Sequence, residues 1–196
     1  MAVSRETPGV LEYEQIVLRW DRQIRLIGGQ LREGLRPQDL LDPSVLTSQL
    51  TKSDRYVDVG SGNGLPAIPT LLALGENAPT TTLVESDARK AAFLRAVRRE
   101  LGLDYEVLQA RIESVPSLKA SAISAKAFAP LSEILSLCAL HLCPAGRILA
   151  FKGHKAEEEI AVAMRTWDFD LAREEQNPQT GAVLLVIRNP RRRNPR

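Results

Sequence analysis

The sequence predicts an α/β protein: one mostly parallel sheet with helices on both faces, behind a helical extension. Three observations lead there. A strand-like run, Tyr56-Val57-Asp58-Val59, opens into a loop with Gly60, Gly62 and Gly64, followed by Pro66. Beyond Asp54, short β-prone segments alternate with helical ones. About 20 residues past the glycines, a second strand-like run, Thr81-Thr82-Leu83-Val84, ends in Glu85.

The first element is a helix. Val10, Tyr13, Val17, Trp20, Ile24 and Ile27 recur at three- and four-residue steps, one apolar stripe. Thr7 is its expected N-cap, with Pro8 in the first turn, and Gly28-Gly29 its expected stop. Residues 37–50 read as a second, shorter helical piece. Strands are expected at 55–60, 80–86, 105–109, 120–125, 146–152, 168–174 and 182–188. Helices are expected at 66–75, 88–102, 130–142 and 154–166. Gly181 leaves no room for a crossover helix, so the last two strands should pair antiparallel.

Composition sets the class. Of 196 residues, 44% are apolar and 26% charged, enough for a real core. No apolar run reaches membrane length and no leader peptide is evident, so a cytoplasmic protein is expected. Cys138 and Cys143 have no second pair to complete a metal site and read as reduced thiols. The net charge is +2; removing Arg188, Arg191, Arg192, Arg193 and Arg196 leaves −3. Positive charge therefore gathers at the C-terminus.

The loop reads G-x-G-x-G, neither the dinucleotide G-x-G-x-x-G nor a P-loop with its lysine. Phosphates favour free N–H groups at a helix start, and Pro66 and Pro69 remove two of them. S-adenosylmethionine fits better, since it carries no phosphate. It needs close backbone approach, from Gly60, Gly62 and Gly64, and an acid for its ribose hydroxyls, Glu85. Both lie at carboxyl ends of strands, where open α/β sheets bind ligands. Asp58, at the same end, is expected to reach the cofactor through water or to hold the loop.

With these residues in place the sequence resembles a known family. Val3-Ser4-Arg5-Glu6-Thr7, Arg19-Trp20-Asp21, Asp58 to Pro66, Val84 to Arg95, Arg111-Ile112-Glu113, Ser124-Ala125-Lys126-Ala127, Ala129-Pro130-Leu131 and Lys152-Gly153 occur in the order and spacing of the GidB (RsmG) methyltransferases. Those bacterial enzymes methylate guanine N7 in small-subunit (16S) rRNA. The resemblance implies a class I SAM-dependent methyltransferase (Rossmann-like) fold, with a seven-stranded, mostly parallel sheet and an antiparallel last strand. It implies a helical N-terminal extension, expected over 1–50, before a SAM-binding domain over 51–188; the C-terminal arginines read as a basic tail over 189–196. It places cofactor contacts at Gly60 and Leu65, with Ile112 and Glu113 flanking the adenine; Ser61, Gly62, Gly64 and Glu85 complete the expected cofactor set. Lys126 stands where the family has an arginine; it keeps the charge and loses the planar fork. Other departures are Arg25-Leu26-Ile27 and Asp39 to Ser44.

Guanine N7 carries a lone pair and no proton, so its methylation needs no general base. The segment Ala125 to Pro130 lacks the Asn/Asp-Pro-Pro-aromatic pattern of exocyclic-amine methylation, and neither cysteine sits on a loop facing the cofactor. No catalytic acid, base or nucleophile is expected, and neither His141 nor His154 is assigned one. Lys126 is a candidate for the cofactor carboxylate or guanine O6, and Lys152 for a substrate phosphate. The expected partner is 16S rRNA or the small ribosomal subunit, met by a monomer. Arg5, Arg19, Arg22, Arg25, Arg32, Arg36 and the arginine-rich C-terminus are candidate RNA contacts. Arg89, Lys90, Arg95, Arg98 and Arg99 read as the solvated face of one helix. Two other readings stay open: the same fold acting on another substrate, and a noncatalytic RNA- or ribosome-binding module.

Overall fold

A computed structural model describes residues 7–27, 44–177 and 182–193. Within them run α1 (Val10–Ile24), α2 (Ser44–Gln49), β1 (Arg55–Val59), α3 (Ala67–Leu74), β2 (Thr80–Val84), α4 (Ala88–Leu101) and β3 (Glu106–Leu108). Then come β4 (Ala120–Lys126), α5 (Leu131–Cys138), β5 (Leu142–Lys152), α6 (Ala156–Ala163), β6 (Trp167–Asn177) and β7 (Ala182–Arg192). The strands form one seven-stranded sheet in the order β3-β2-β1-β4-β5-β7-β6. The first five run parallel, and β7 is antiparallel to both β5 and β6. Among the described residues, no helix is long and apolar enough to cross a membrane.

Strand alternation divides the core between two faces. Tyr56, Leu83, Ala122 and Leu149 turn to one face, against Tyr13 and Val17 of α1, Leu46 of α2, Ile68 of α3 and Phe93 of α4. Val57, Val59, Val84, Ile123, Ala125 and Ile148 turn to the other, against Leu131 and Ile134 of α5 and Ile160 of α6. The extension is thus part of the first core. Trp20 meets Phe93 edge to face at 5.9 Å, and Arg19 pairs with Glu100 of α4.

Several boundaries differ from expectation. Thr7 is not the cap of α1: Gly9 holds that place at φ 81°, and a Cβ there would meet Leu72 at 2.7 Å. The helix ends at Ile24, with Arg25 left-handed at φ 51° and the Asp21 carboxylate taking the Ile27 amide at 2.8 Å. The expected stop at Gly28-Gly29, the turn at Gly181, and most of the 37–50 helix, lie outside the described residues. β5 begins at Leu142 rather than 146, after a shift of register between Ala120 and Ala122. The 130–142 helix is shorter, because α5 gives way to a 3-10 turn at Ala139–His141. The last strand passes 188 and runs to Arg192, so Asn189 to Arg192 belong to the sheet. There Asp168 and Asp170 of β6 face the basic residues, pairing with Arg193 at 2.7 Å and accepting from Asn189 at 2.6 Å.

Opposite the glycine loop, at the start of the strands, Asp54 is the hub of a half-hidden network. It accepts from Arg147 Nη2 at 2.9 Å, Ser121 Oγ at 2.6 Å and the Thr51 amide at 2.8 Å. Arg147 also donates to the Gln49 carbonyl, which fastens α2 to β5. Burial alone would raise the Asp54 pKa; hydrogen bonds from Arg147, Ser121 and Thr51 outweigh it and hold it at about 2. A depressed acid contributes stability above its unfolded value and loses it as pH falls through the folded one. Acid unfolding should therefore draw on Asp54 between about pH 4 and pH 2. Arg147→Ala strands a buried carboxylate and should cost about 3 kcal/mol at pH 7, with less further loss on acidification than the parent shows. Urea denaturation at pH 7 and pH 3 checks both; parallel losses at the two pH values would contradict the pairing.

Candidate active site

β1 and β2 end level, since Val59 and Val84 are register partners. The loop after β1 and the residue after β2 therefore meet at the carboxyl rim of the sheet. Gly60 and Ser61 donate their amides to the Val84 carbonyl at 2.9 and 3.2 Å. Glu85 is 6% exposed, and its carboxylate joins both segments. Oε2 accepts from the Gly62 amide at 2.8 Å, and Oε1 from the Asp87 amide at 2.7 Å. Asp87 then caps α4, accepting from the Arg89 and Lys90 amides.

Two glycines are required by what lies over them. Gly60 has φ 68°, and a Cβ would stand 2.3 Å from Phe128 Cδ2. Gly64 has φ 87°, and a Cβ would stand 2.3 Å from Ile68 Cδ1. Ser61 is buried and spends its hydroxyl on the Asp58 carbonyl at 3.0 Å, so its side chain closes the loop from within. Gly64 donates to the Ser61 carbonyl at 2.6 Å, and the Leu65 amide reaches Asn63 Oδ1 at 3.3 Å. The loop is braced from α1 as well: Tyr13, fully buried, donates its hydroxyl to the Asn63 carbonyl at 2.5 Å.

A slot of about 130 Å³ opens beside Gly60, lined by Val84, Ser86, Arg111, Ile112, Glu113 and Phe128 among others. It unites three expected contacts, Gly60, Ile112 and Glu113. Ser61, Gly62, Gly64, Leu65, Glu85 and Lys126 do not line it. Lys126 ends β4 on the Asp58 side, where its charge acts on that carboxyl.

Next to the slot lies a recess of about 360 Å³ between the ends of β4 and β5. The two share Phe128 and Ala129 as a wall. Phe128, which sequence reasoning passed over, thus stands between them and against Gly60. The only signal was an aromatic two residues past Lys126. Ala127, left-handed at φ 50°, turns the chain there. Lys152, a candidate for a substrate phosphate, lines this recess and is already paired within the protein. Its side chain is 7% exposed, and Nζ donates to the Ala129 carbonyl at 2.6 Å and to Glu159 at 2.7 Å. Glu159 in turn accepts from the Leu131 amide at 2.7 Å, so the clamp fixes the segment carrying Phe128.

Asp58 lies below the loop, 1% exposed. Tyr56 and Ser124 hydroxyls stand 2.7 Å apart, and Ser124 donates to Asp58 Oδ1. Oδ2 has no partner. Burial pushes the Asp58 pKa up to about 7, against the Ser124 hydrogen bond and the Lys126 charge. Burial pushes the Cys138 thiol to about 12, and it lowers the pKa of His141, against the hydrogen bond that His141 donates to the Ile112 carbonyl.

Comparison with known proteins adds the family. The GidB profile, described as rRNA small subunit methyltransferase G, matches residues 7–186. The chain belongs to the GidB family. A ribosomal RNA small subunit methyltransferase G of Cereibacter sphaeroides is 38% identical over 190 residues, spanning 95% of this chain and 92% of that protein. One from Paramagnetospirillum magneticum is 37% identical, over 95% and 90%. Among solved structures, a SAM-dependent methyltransferase from Aquifex aeolicus superposes with a TM-score of 0.62 at 16% identity, covering 81% of this chain and 94% of that one. M. jannaschii TYW2 in complex with AdoMet gives 0.52 at 12% identity, over 74% and 72%. These likenesses show the fold, that of class I methyltransferases. For this GidB chain the donor set fits such a cofactor. Gly60 lines the slot, each Glu85 oxygen keeps a lone pair free, and among the described residues Asp58 Oδ2 is a buried acceptor in want of a donor.

A raised acid contributes stability that is present below its unfolded pKa and lost as pH rises through the folded one. Ligand-free protein should therefore lose stability through Asp58 between about pH 4 and pH 7. Asp58→Asn keeps the Ser124 bond and should gain on the parent as pH rises from 5 to 8, measured by urea denaturation. A constant difference between the two chains would mean that Asp58 is already ionised at pH 5.

Proposed function

We propose that the protein is an S-adenosylmethionine-dependent methyltransferase that modifies N7 of a guanine in small-subunit rRNA. The observation that carries this reading is the carboxylate bridge from Glu85 to Gly62, set at the strand rim beside a slot and an adjoining recess, in a chain of the GidB family. The cofactor supplies a methyl group on a sulfonium centre. Glu85 accepts its ribose hydroxyls, Ile112 and Glu113 flank its adenine, and the loop from Gly60 to Gly64 lies along its methionine part. Lys126 meets the carboxylate of that part. Asp58 supplies the buried counter-charge to its cationic end.

The acceptor guanine enters the recess next to Phe128. N7 faces a deep, narrow groove in duplex RNA, so the base comes from a loop or is extruded. No side chain has to remove a proton. The protein's contribution is alignment, which supplies ~7–11 kcal/mol when the reacting atoms are well oriented. Phe128 offers a π face and Glu159 a carboxylate toward the positive charge that grows on the purine. Lys152, clamped to Glu159 and Ala129, keeps both in place.

Radiolabelled methyl transfer to small subunits from cells lacking this methylation tests the reading. Label should enter 16S rRNA and be recovered as 7-methylguanosine. Glu85→Ala should weaken cofactor binding at least tenfold by calorimetry and abolish the label. Label in protein or in another nucleoside would overturn the substrate assignment. Undiminished binding by the variant would overturn the cofactor site.

A further inference from the structure

We propose that the C-terminal half of α4 carries a second RNA contact, a phosphate-binding recess formed by Arg95, Arg98 and Arg99. The proposal rests on the reading above, that the acceptor is small-subunit rRNA. The three side chains line one hollow of about 480 Å³ with Gly102 and Leu103. All three arginines are exposed. Their spacing, i, i+3 and i+4, puts like charges side by side on the helix, an unfavourable arrangement in the absence of an anion.

The carboxylate nearest in sequence, Glu100, is taken by Arg19 of α1. Among the described residues, neither Arg98 nor Arg99 is ion-paired, and Arg95 makes only long bonds, 3.4 Å to Gln109 Oε1 and 3.5 Å to the Val107 carbonyl. The helix dipole rewards cations in the last turn, which accounts for Arg98 and Arg99. It does not account for Arg95 converging on the same hollow from a turn earlier. A planar guanidinium matches phosphate oxygens two at a time. Several such forks along an open helix face fit a nucleic-acid backbone better than one enclosed small anion.

Position gives the contact its meaning. α4 begins beside the site, where Asp87 donates its amide to Glu85, and its last turn lies about 20 Å away at 1.5 Å per residue. Phosphate contacts carry register and orientation rather than sequence. The arginines therefore hold the RNA at a fixed distance from the recess that receives the base.

The test uses the full chain and its triple variant R95Q/R98Q/R99Q. Three quantities are measured: binding to 16S rRNA across a potassium chloride series, the kcat and KM of methyl transfer, and the cofactor Kd. The salt slope should become shallower by about 2, at ~0.7–0.9 per phosphate contact. KM for RNA should rise at least tenfold, with kcat and cofactor Kd unchanged. R95K/R98K/R99K should keep most of the slope while KM still rises, since charge survives and the fork does not. If the parent methylates RNA and the triple variant matches it in slope and KM, the recess is refuted alone. If the parent transfers no methyl to RNA, the functional reading falls and takes this proposal with it. Should the triple variant unfold, the single variants R95Q, R98Q and R99Q carry the same test, each with a slope change of just under one.

Discussion

One carboxylate decides the shape of the site. Glu85 is almost wholly buried at the end of β2, so its oxygens need donors, and they find them in two amides from different segments. An unpaired buried charge is costly enough that this bridge is not optional. It fastens the glycine loop to the start of α4 and fixes the width of the gap between them. The register of β1 with β2 makes this possible, because a slip of one residue would turn Glu85 to the opposite face.

The rest of the molecule supports that rim from both faces of the sheet. On one face α1 reaches the loop through Tyr13, and it is itself held by Trp20 on Phe93 and Arg19 on Glu100. The N-terminal extension therefore braces the glycine loop as well as covering one face of the sheet. On the other, the Lys152–Glu159 clamp sets the segment that places Phe128 over Gly60. An ion pair this buried is weak evidence for stability; its value here is the position it imposes.

The alternation of strands and helices, the antiparallel end of the sheet and the meeting of the glycine loop and Glu85 at one rim were legible in the sequence. Each follows from local signals: apolar periodicity, turn residues, a fixed spacing from glycine to acid. What escaped was contact between segments far apart in the chain. Tyr13 reads as one member of an apolar stripe, and nothing local says its hydroxyl meets Asn63. Phe128 reads as a stray aromatic until β4 is laid beside β1. Lys152 reads as a free charge for a substrate phosphate because its partner, Glu159, lies across a helix start. The end of α1 was misjudged for a related reason: Asp21 caps the Ile27 amide, and the chain leaves the helix before any glycine.

The central claim is that the cofactor occupies the carboxyl rim, between the glycine loop and Glu85. A rival location exists in a larger cavity of about 820 Å³ at the other end of the sheet, lined by Thr80, Thr82, Gly102 and Asp104 among others. Amide chemical-shift mapping on isotope-labelled protein, titrated with S-adenosylmethionine, separates the two directly. The account predicts large shifts at Gly60, Gly62, Gly64, Ile112 and Glu113, with Thr80 and Asp104 unmoved. Shifts gathered at Thr80, Gly102 and Asp104, with the glycine loop silent, would contradict it.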